Sequence, residues 1–189
     1  MLLFKKVPYS IYRESVIEAY GSIFTEEELH KQWDDIKLPT RSTKKSAGYD
    51  FYCPFDITVT RSNIVDIPTG VALVTDRDDI FLMCVPRSGL GFKKGLGLRN
   101  TIGVIDADYC QSDNYGHIKA RLVSEEDCEL VSGKAFMQGI IIPFLRVDDD
   151  AAKGVRNGGF GSTDRQWKHT PLEPYKPVPA TSLELEKAW

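Results

Sequence analysis

Between residues 86 and 109 the chain combines a cationic, glycine-spaced turn with two carboxylates and an aromatic ring. Glycine leaves main-chain N–H groups open to an anion because it has no Cβ, and Arg87 adds a fixed fork of donors. The turn Pro86–Gly89 therefore predicts a phosphate site. Further along, Asp106 stands three residues before Tyr109. A carboxylate beside an anion site is suited to act as a base that activates water.

Three other segments carry groups that could serve the same chemistry. Ala47–Asp50 offers a carboxylate after a glycine, Gly133–Gln138 offers an amide, and Arg156–Thr163 offers an arginine, two hydroxyls and one aromatic ring among glycines. Taken singly, each has an ordinary explanation, because Gly-Asp pairs form turns and glycine-rich stretches form linkers. No single motif decides the function.

Composition excludes several function classes. The formal net charge of -3 over 189 residues provides no global attraction to nucleic acid or to an anionic membrane. No apolar run approaches the ~20 residues that span a bilayer, and Met1–Phe4 meets two lysines too soon for a signal peptide. We expect a cytoplasmic protein that binds neither nucleic acid nor membrane. The four cysteines are scattered without a Cys-x-x-Cys pair, which favours free thiols over a disulfide or a zinc site.

Helical signals are confined to the N-terminal part of the chain. Thr25 and Glu28 form a capping-box pattern ahead of apolar residues at helical spacing, which predicts a helix over about 26–37 that Pro39 ends. A weaker pattern predicts a helix over about 11–20. We expect this part to pack on the outside of a core or at a subunit contact.

From residue 38 to about 147 the sequence changes to short β-branched and aromatic runs separated by turn residues. Because these runs do not alternate with helices, they predict an all-β sandwich or barrel. The predicted strands are 57–60, 71–75, 80–85, 118–123 and 139–144. We also predict a β-hairpin over residues 100–109. After Val147 the composition turns acidic, then glycine-rich and proline-rich, which predicts an arm that is mobile alone.

In order and residue type, these segments resemble the trimeric dUTPase family across about residues 38–166. The strongest matches are Pro86–Gly89, Gly103–Tyr109 and Gly159–Thr163. The resemblance implies a jelly-roll-like β-barrel or sandwich (a β-clip) that forms a homotrimer with shared active sites. It divides the chain into a helical N-terminal extension (1–37), a β core (38–150) and a C-terminal arm and tail (151–189), with the arm closing over a neighbouring subunit's site.

For the reaction, the resemblance implies that dUTP is split into dUMP and pyrophosphate, with Mg²⁺ on the triphosphate. Asp106 would orient and deprotonate the attacking water. Arg87, Ser88 and the Gly89 main chain would hold phosphate oxygens. Asp50 would act through metal-bound water or by bracing the site.

For specificity, the resemblance implies that Tyr109 lies against the deoxyribose and leaves no space for a 2′-hydroxyl. Main-chain groups between Asn100 and Tyr109, with the Asn100 amide, would select uracil. Phe160 would cover the base, and the arm would bind the outer phosphates. The substrate-binding positions implied besides Arg87, Ser88, Gly89 and Tyr109 are Asn100, Gly103, Ile105, Gln138, Arg156, Phe160, Gly161, Ser162 and Thr163.

Three positions depart from the family pattern. Ala135 stands where the family usually has arginine, and Asp164 where it commonly has glycine. The segment 110–115 forms a longer loop than usual after the predicted hairpin. With the extra helices, the two substitutions are what a non-catalytic, nucleotide-sensing protein on this fold would show. Asp106 and Tyr109 favour the enzyme.

A dCTP deaminase is the other alternative, since it shares the fold and part of the Pro-Arg-Ser signal. Its chemistry needs a glutamate on the strand that follows the predicted hairpin. The segment 116–123 contains no carboxylate, and the first one after it is Glu125. The sequence therefore favours dUTP hydrolysis over deamination.

Overall fold

The structure, a computed structural model, describes residues 1–154 of the chain. These residues form a mostly β protein with few helices. The strands are β1 Leu2–Lys6, β2 Gly48–Tyr52, β3 Ile57–Val59, β4 Val65–Pro68, β5 Val71–Thr75, β6 Ile80–Pro86, β7 Gly97–Leu98, β8 Gly103–Asp106, β9 Lys119–Val123, β10 Cys128–Leu130 and β11 Ala135–Pro143. The helices are α1 Tyr9–Tyr20, α2 Glu26–Asp34 and α3 Ser88–Lys94, with a 3₁₀ turn over Ala107–Gln111.

The strands form open antiparallel sheets. The largest has the order β2-β11-β6-β8, a second has the order β4-β9-β7, and β1-β5 and β10-β3 form two-stranded sheets. The long strand β6 shows why these runs are strands, because its alternate residues Ile80, Leu82 and Cys84 are buried in the core. One face of the strand is thus packed in the core while the other is less buried, as the period of two requires. The prediction of a mostly β fold is confirmed.

The capping box predicted for α2 is present. The Glu28 N–H donates to Thr25 Oγ1 at 3.3 Å, and the Thr25 N–H donates to Glu28 Oε2 at 2.8 Å. The helix ends at Asp34, three residues before the predicted end, because the last turn tightens and the Ile36 N–H donates to the Trp33 carbonyl. Ile36 then enters the core.

The N-terminal segment is built into the core and is not entirely helical. Its first residues form β1, which pairs antiparallel with β5 and was not predicted. The helix α1 begins at Tyr9, two residues earlier than predicted, since the Pro8 carbonyl accepts its first N–H bonds. Tyr12 and Val16 on α1 and Leu29 on α2 are buried in the main core cluster.

The ring of His117 ties α1 to the sheets from a fully buried position. The Gly70 N–H donates to Nε2 at 2.9 Å, so the ring proton resides on Nδ1 and is donated to Ser15 Oγ at 3.0 Å. Burial, with a smaller contribution from the charge of Lys119, lowers the pKa of His117 to about 3. The folded protein therefore holds this ring neutral.

We predict a loss of stability in mild acid that depends on His117. The unfolded chain has the ordinary histidine pKa of about 6.5, so it takes up the proton before the folded protein does. The free energy of unfolding should therefore fall by about 3 kcal/mol between pH 6.5 and pH 4. Urea unfolding measured across that range, for the parent and for His117→Gln, checks this. Since carboxylates contribute equally to both proteins, curves that run parallel would contradict it.

All four cysteines are free thiols, and three of them, Cys53, Cys84 and Cys128, are buried. Within residues 1–154, no helix has the length and apolar character needed to cross a membrane.

Candidate active site

Register in the largest sheet brings three of the predicted segments to one place. Gln138 on β11 lies opposite Asp50 on β2 and opposite Val85 on β6. One residue after β6 ends, Arg87 caps α3, with Ser88 as the first residue of that helix. We call Asp50, Arg87, Ser88 and Gln138 the sheet-end cluster.

Asp50 supplies the carboxylate of the sheet-end cluster, and its side chain is 14% exposed. Arg87 Nε lies 3.5 Å from Asp50 Oδ1, and Ser42 Oγ donates to Asp50 Oδ2 at 2.8 Å. The guanidinium of Arg87 remains about half exposed, so it keeps donors available for an anion. Asp50 thus holds Arg87 in place, and Ser42 holds Asp50.

Two glycines keep the sheet-end cluster open. A Cβ on Gly48 would lie 2.3 Å from Gln138 Oε1, so a larger residue would push the amide aside. A Cβ on Gly89 would meet nothing within 4 Å, so space beside this main chain is free for a ligand. The N–H of Arg87 donates to the Phe136 carbonyl at 3.2 Å, which fixes the start of the turn.

Asp106 lies at a different part of the same sheet. It ends β8, which pairs with β6 so that Asp106 is opposite Phe81 and Gly103 is opposite Cys84. Asp106 borders an open cleft of about 380 Å³. The residues lining that cleft are Thr75, Asp76, Arg77, Asp78, Ile80, Asp106, Ala107, Asp108, Gln111, Phe144 and Arg146.

The cations of the cleft are already paired. Arg77 donates two hydrogen bonds to Asp79, at 2.8 and 2.7 Å, and Arg146 forms an ion pair with Asp78 at 3.1 Å. The positive charge of both arginines is therefore partly neutralised by neighbouring carboxylates.

The predicted hairpin over residues 100–109 is wrong. β7 pairs with β9 and β8 pairs with β6, so the two segments on either side of Asn100 belong to different sheets. The link between them is a tight turn in which Thr101 has a φ of 67° and the Ile102 N–H donates to the Asn100 carbonyl. Asn100 is exposed at this turn, and Gly103 and Ile105 follow on β8.

Tyr109 lies in the 3₁₀ turn after β8 and is 6% exposed. Its hydroxyl donates to the His117 carbonyl at 3.2 Å and accepts from Asn114 Nδ2 at 2.7 Å. Sequence reasoning missed Asn114, as it missed Ser42, because a hydrogen bond made by a loop side chain leaves no periodic signal.

A single chain does not bring Asp106 and Arg87 together. Asp106 is level with Phe81, and Arg87 lies six residues further along the same strand direction. At about 3.3 Å per residue this separation is about 20 Å. Within one subunit the two residues therefore do not contact each other.

The remaining predicted positions cannot be placed. Arg156, Phe160, Gly161, Ser162 and Thr163, together with Asp164, lie outside the described residues. Ala135 is described and begins β11 opposite Tyr52.

The described residues also limit how a metal could bind. Within residues 1–154 no group of three or more His, Cys, Asp or Glu side chains could hold a metal ion. Asp50 offers a single carboxylate already held by Arg87 and Ser42. Such a donor suits a cation that takes most of its ligands from phosphate oxygens and water, as Mg²⁺ does.

Comparison with known proteins gives one consistent family. The family model for dUTPase matches residues 34–163. The deoxyuridine 5'-triphosphate nucleotidohydrolase of Lactococcus lactis subsp. lactis (strain IL1403) is 39% identical over 133 residues, covering 68% of this chain and 88% of that protein. Its counterpart in Hydrogenobaculum sp. (strain Y04AAS1) is 36% identical over 143 residues, covering 71% and 95%. The crystal structure of dUTPase from Streptococcus mutans aligns with a TM-score of 0.55 and 31% identity, over 77% of this chain and 98% of that one.

Proposed function

This chain belongs to the dUTPase family, and from that premise we propose that it hydrolyses dUTP to dUMP and pyrophosphate. The observation that carries the proposal is the sheet-end cluster, in which separate motifs supply a cation, a hydroxyl, an amide and a carboxylate at one place. In a cell the reaction would limit uracil incorporation into DNA and supply dUMP for dTMP synthesis. We place it in the cytoplasm.

The sheet-end cluster would bind the triphosphate. Arg87 and Ser88 would donate to phosphate oxygens together with the Gly89 main chain, which lies beside open space. Since phosphoryl chemistry depends on positioning and charge stabilisation, Asp50 contributes by fixing Arg87. Mg²⁺ bound to the triphosphate would neutralise part of its charge, with Asp50 near it through water.

Asp106 would act on the attacking water. The water oxygen bonds to the α-phosphorus, its proton passes to the Asp106 carboxylate, and the bond from that phosphorus to the leaving pyrophosphate breaks. An ionised carboxylate within hydrogen-bonding reach both orients and deprotonates such a water. Asp106 would also contact the deoxyribose 3′-hydroxyl.

Selectivity would come from the segment around β8. The Asn100 amide and the main chain near Gly103 and Ile105 would pair with uracil, so the amino group of cytosine would meet a donor and leave a buried polar clash. Tyr109 would lie against the deoxyribose and exclude a 2′-hydroxyl. Gln138 would contact the nucleotide from the sheet-end cluster.

We further propose a homotrimer of jelly-roll (β-clip) subunits with shared active sites. The support is the family resemblance, together with the separation of about 20 Å between Asp106 and Arg87 within one chain. Asp106 of one subunit would meet Arg87 of another. The arm of residues 151–189 would close over a neighbour's site, with Phe160 on the base and Arg156, Gly161, Ser162 and Thr163 on the outer phosphates.

Deleting residues 156–189 should lower turnover of dUTP while the trimer stays folded. The arm would expel water and complete the phosphate contacts, so we expect kcat/KM to fall by about 10²-fold or more, since single preorganised donors are worth that much. Steady-state kinetics and molecular mass in solution check this. An unchanged rate would remove the arm from the mechanism.

The proposed function is tested by pyrophosphate release with Mg²⁺ from dUTP, dCTP, dTTP and UTP. We expect release from dUTP above all. Ammonia from dCTP would instead indicate the deaminase, which the absence of any carboxylate on β9 disfavours. Tight binding of dUTP without turnover would indicate a nucleotide sensor. The departures from the family pattern at Ala135 and Asp164 would agree with that outcome.

A further inference from the structure

We propose that Asn114 is a positioning residue that fixes Tyr109 and so sets the preference for deoxyribose over ribose. The inference rests on the function proposed above. Asn114 belongs to the loop Cys110–Tyr115, and its Nδ2 lies 2.7 Å from the hydroxyl oxygen of Tyr109. That ring is almost fully buried.

The orientation of the Asn114 amide follows from its second partner. The Gly116 N–H can only donate, and it lies 3.1 Å from Asn114 Oδ1. The Ser112 hydroxyl also lies 2.8 Å from this oxygen. The carbonyl end of the amide is therefore used by the loop, and its NH₂ end must face Tyr109.

The orientation of the Asn114 amide fixes the direction of both hydrogen bonds at the Tyr109 hydroxyl. Its oxygen accepts from Asn114, so its own proton is donated to the His117 carbonyl at 3.2 Å. The main chain is held too, because the Ser112 N–H donates to the Tyr109 carbonyl at 3.1 Å. The Ser112 hydroxyl lies 2.5 Å from the same carbonyl and shares its one proton between that oxygen and Asn114 Oδ1. Tyr109 is thus held at the tip of its ring and at its backbone by the same loop.

The His117 carbonyl, which accepts the hydrogen bond from the Tyr109 hydroxyl, belongs to a residue that is itself held in place. His117 is fully buried, and its ring is bonded to Gly70 and to Ser15 of α1. The loop also closes tightly at Gly116, where φ is 72° and an added Cβ would lie 2.7 Å from the Cys110 Cα. Asn114 therefore connects Tyr109 to rigid surroundings on both sides.

Rigidity matters because the two sugars differ by one oxygen. An apolar pocket discriminates only weakly against a ligand with an added hydroxyl. The discrimination is weaker still if the pocket side chain can move by a fraction of an ångström. Freeing the hydroxyl of Tyr109 should let the ring shift and admit the 2′-hydroxyl. Asn114 would contact no substrate atom itself.

The test compares kcat/KM for dUTP and UTP in the parent, Asn114→Ala, Tyr109→Phe and the double variant. We expect Asn114→Ala to lower the dUTP/UTP ratio about tenfold, which corresponds to about 1.4 kcal/mol. Tyr109→Phe removes this bond and also the bond to the His117 carbonyl, so it should lower the ratio at least as much. The double variant should match Tyr109→Phe, because without the Tyr109 hydroxyl Asn114 has no bond to that ring left to lose.

Tyr20→Phe is the matched control, since it removes the hydrogen bond from the Tyr20 hydroxyl to the Asp66 carbonyl without touching Tyr109, Asn114 or His117. It should lower the melting temperature and leave the ratio unchanged. Equal losses for both nucleotides in Asn114→Ala, or a ratio in the double variant that differs from the ratio in Tyr109→Phe, would overturn the proposal. If Asn114→Ala does not fold, an unchanged ratio in Tyr109→Phe overturns it equally.

The two proposals can fail separately. A parent that releases no pyrophosphate from dUTP contradicts the proposed function. Calorimetric binding of dUMP and UMP then tests Asn114 alone, and an unchanged binding ratio in Asn114→Ala overturns its role.

Discussion

Asp106→Asn is expected to lower kcat for dUTP by about 10²–10⁴-fold, the contribution of a positioned general base. The amide is isosteric with the carboxylate but cannot take the proton from water. Because it keeps the shape of the site, nucleotide binding should change little. Pre-steady-state and steady-state pyrophosphate release, together with calorimetric binding of a non-hydrolysable dUTP analogue, measure both quantities.

Asp78→Asn is the control for this substitution. It removes a charge from the same cleft, but the Asp78 side chain is 84% exposed and paired with Arg146. We expect turnover close to that of the parent. Full activity in Asp106→Asn, or equal losses in both variants, would contradict the assignment of Asp106 as the base.

Mixing two inactive variants is expected to restore activity. Arg87→Ala removes the guanidinium of the sheet-end cluster, and Asp106→Asn removes the base. Suppose each site takes Arg87 from one subunit and Asp106 from another. With random assembly, half of the sites then have an intact Arg87, and half of those also have an intact Asp106. A 1:1 co-refolded mixture should therefore recover about a quarter of the parental activity per site.

The geometry makes this outcome decisive. If both residues of a site came from one chain, every chain in the mixture would lack one of them and activity would stay absent. The control mixes Asp106→Asn with the double variant Asp106→Asn/Arg87→Ala, which supplies no intact base and should remain inactive. Absence of recovery in the first mixture would refute the shared site.

The predicted elements that hold in the structure have local causes. The Thr25–Glu28 capping box depends on residues three apart, and its hydrogen bonds form as predicted. The apolar run Ile80–Val85 predicted a strand, and β6 spans Ile80–Pro86. Because such signals lie within one turn or one strand, the chain carries them without its tertiary neighbours.

Errors arose where pairing is decided at a distance. The apolar residues around Val104 indicated a strand correctly, yet its partner is β6 and not the segment just before it. The strand β1 was missed since its partner β5 lies some 70 residues away in sequence, by the register Leu2 to Thr75. Local propensity cannot choose among such partners.

The sequence by itself determined the family, the mostly β core and which residue types could bind phosphate and activate water, because ordered motifs and strand periodicity are written along the chain. Only the tertiary structure decided which of those groups meet. Sheet register brings Asp50, Arg87 and Gln138 together and places Asp106 opposite Phe81, at the other end of β6. Loop closure brings Asn114 to Tyr109. These contacts join residues whose separation in sequence carries no periodic signal, so they exist only once the sheets have formed.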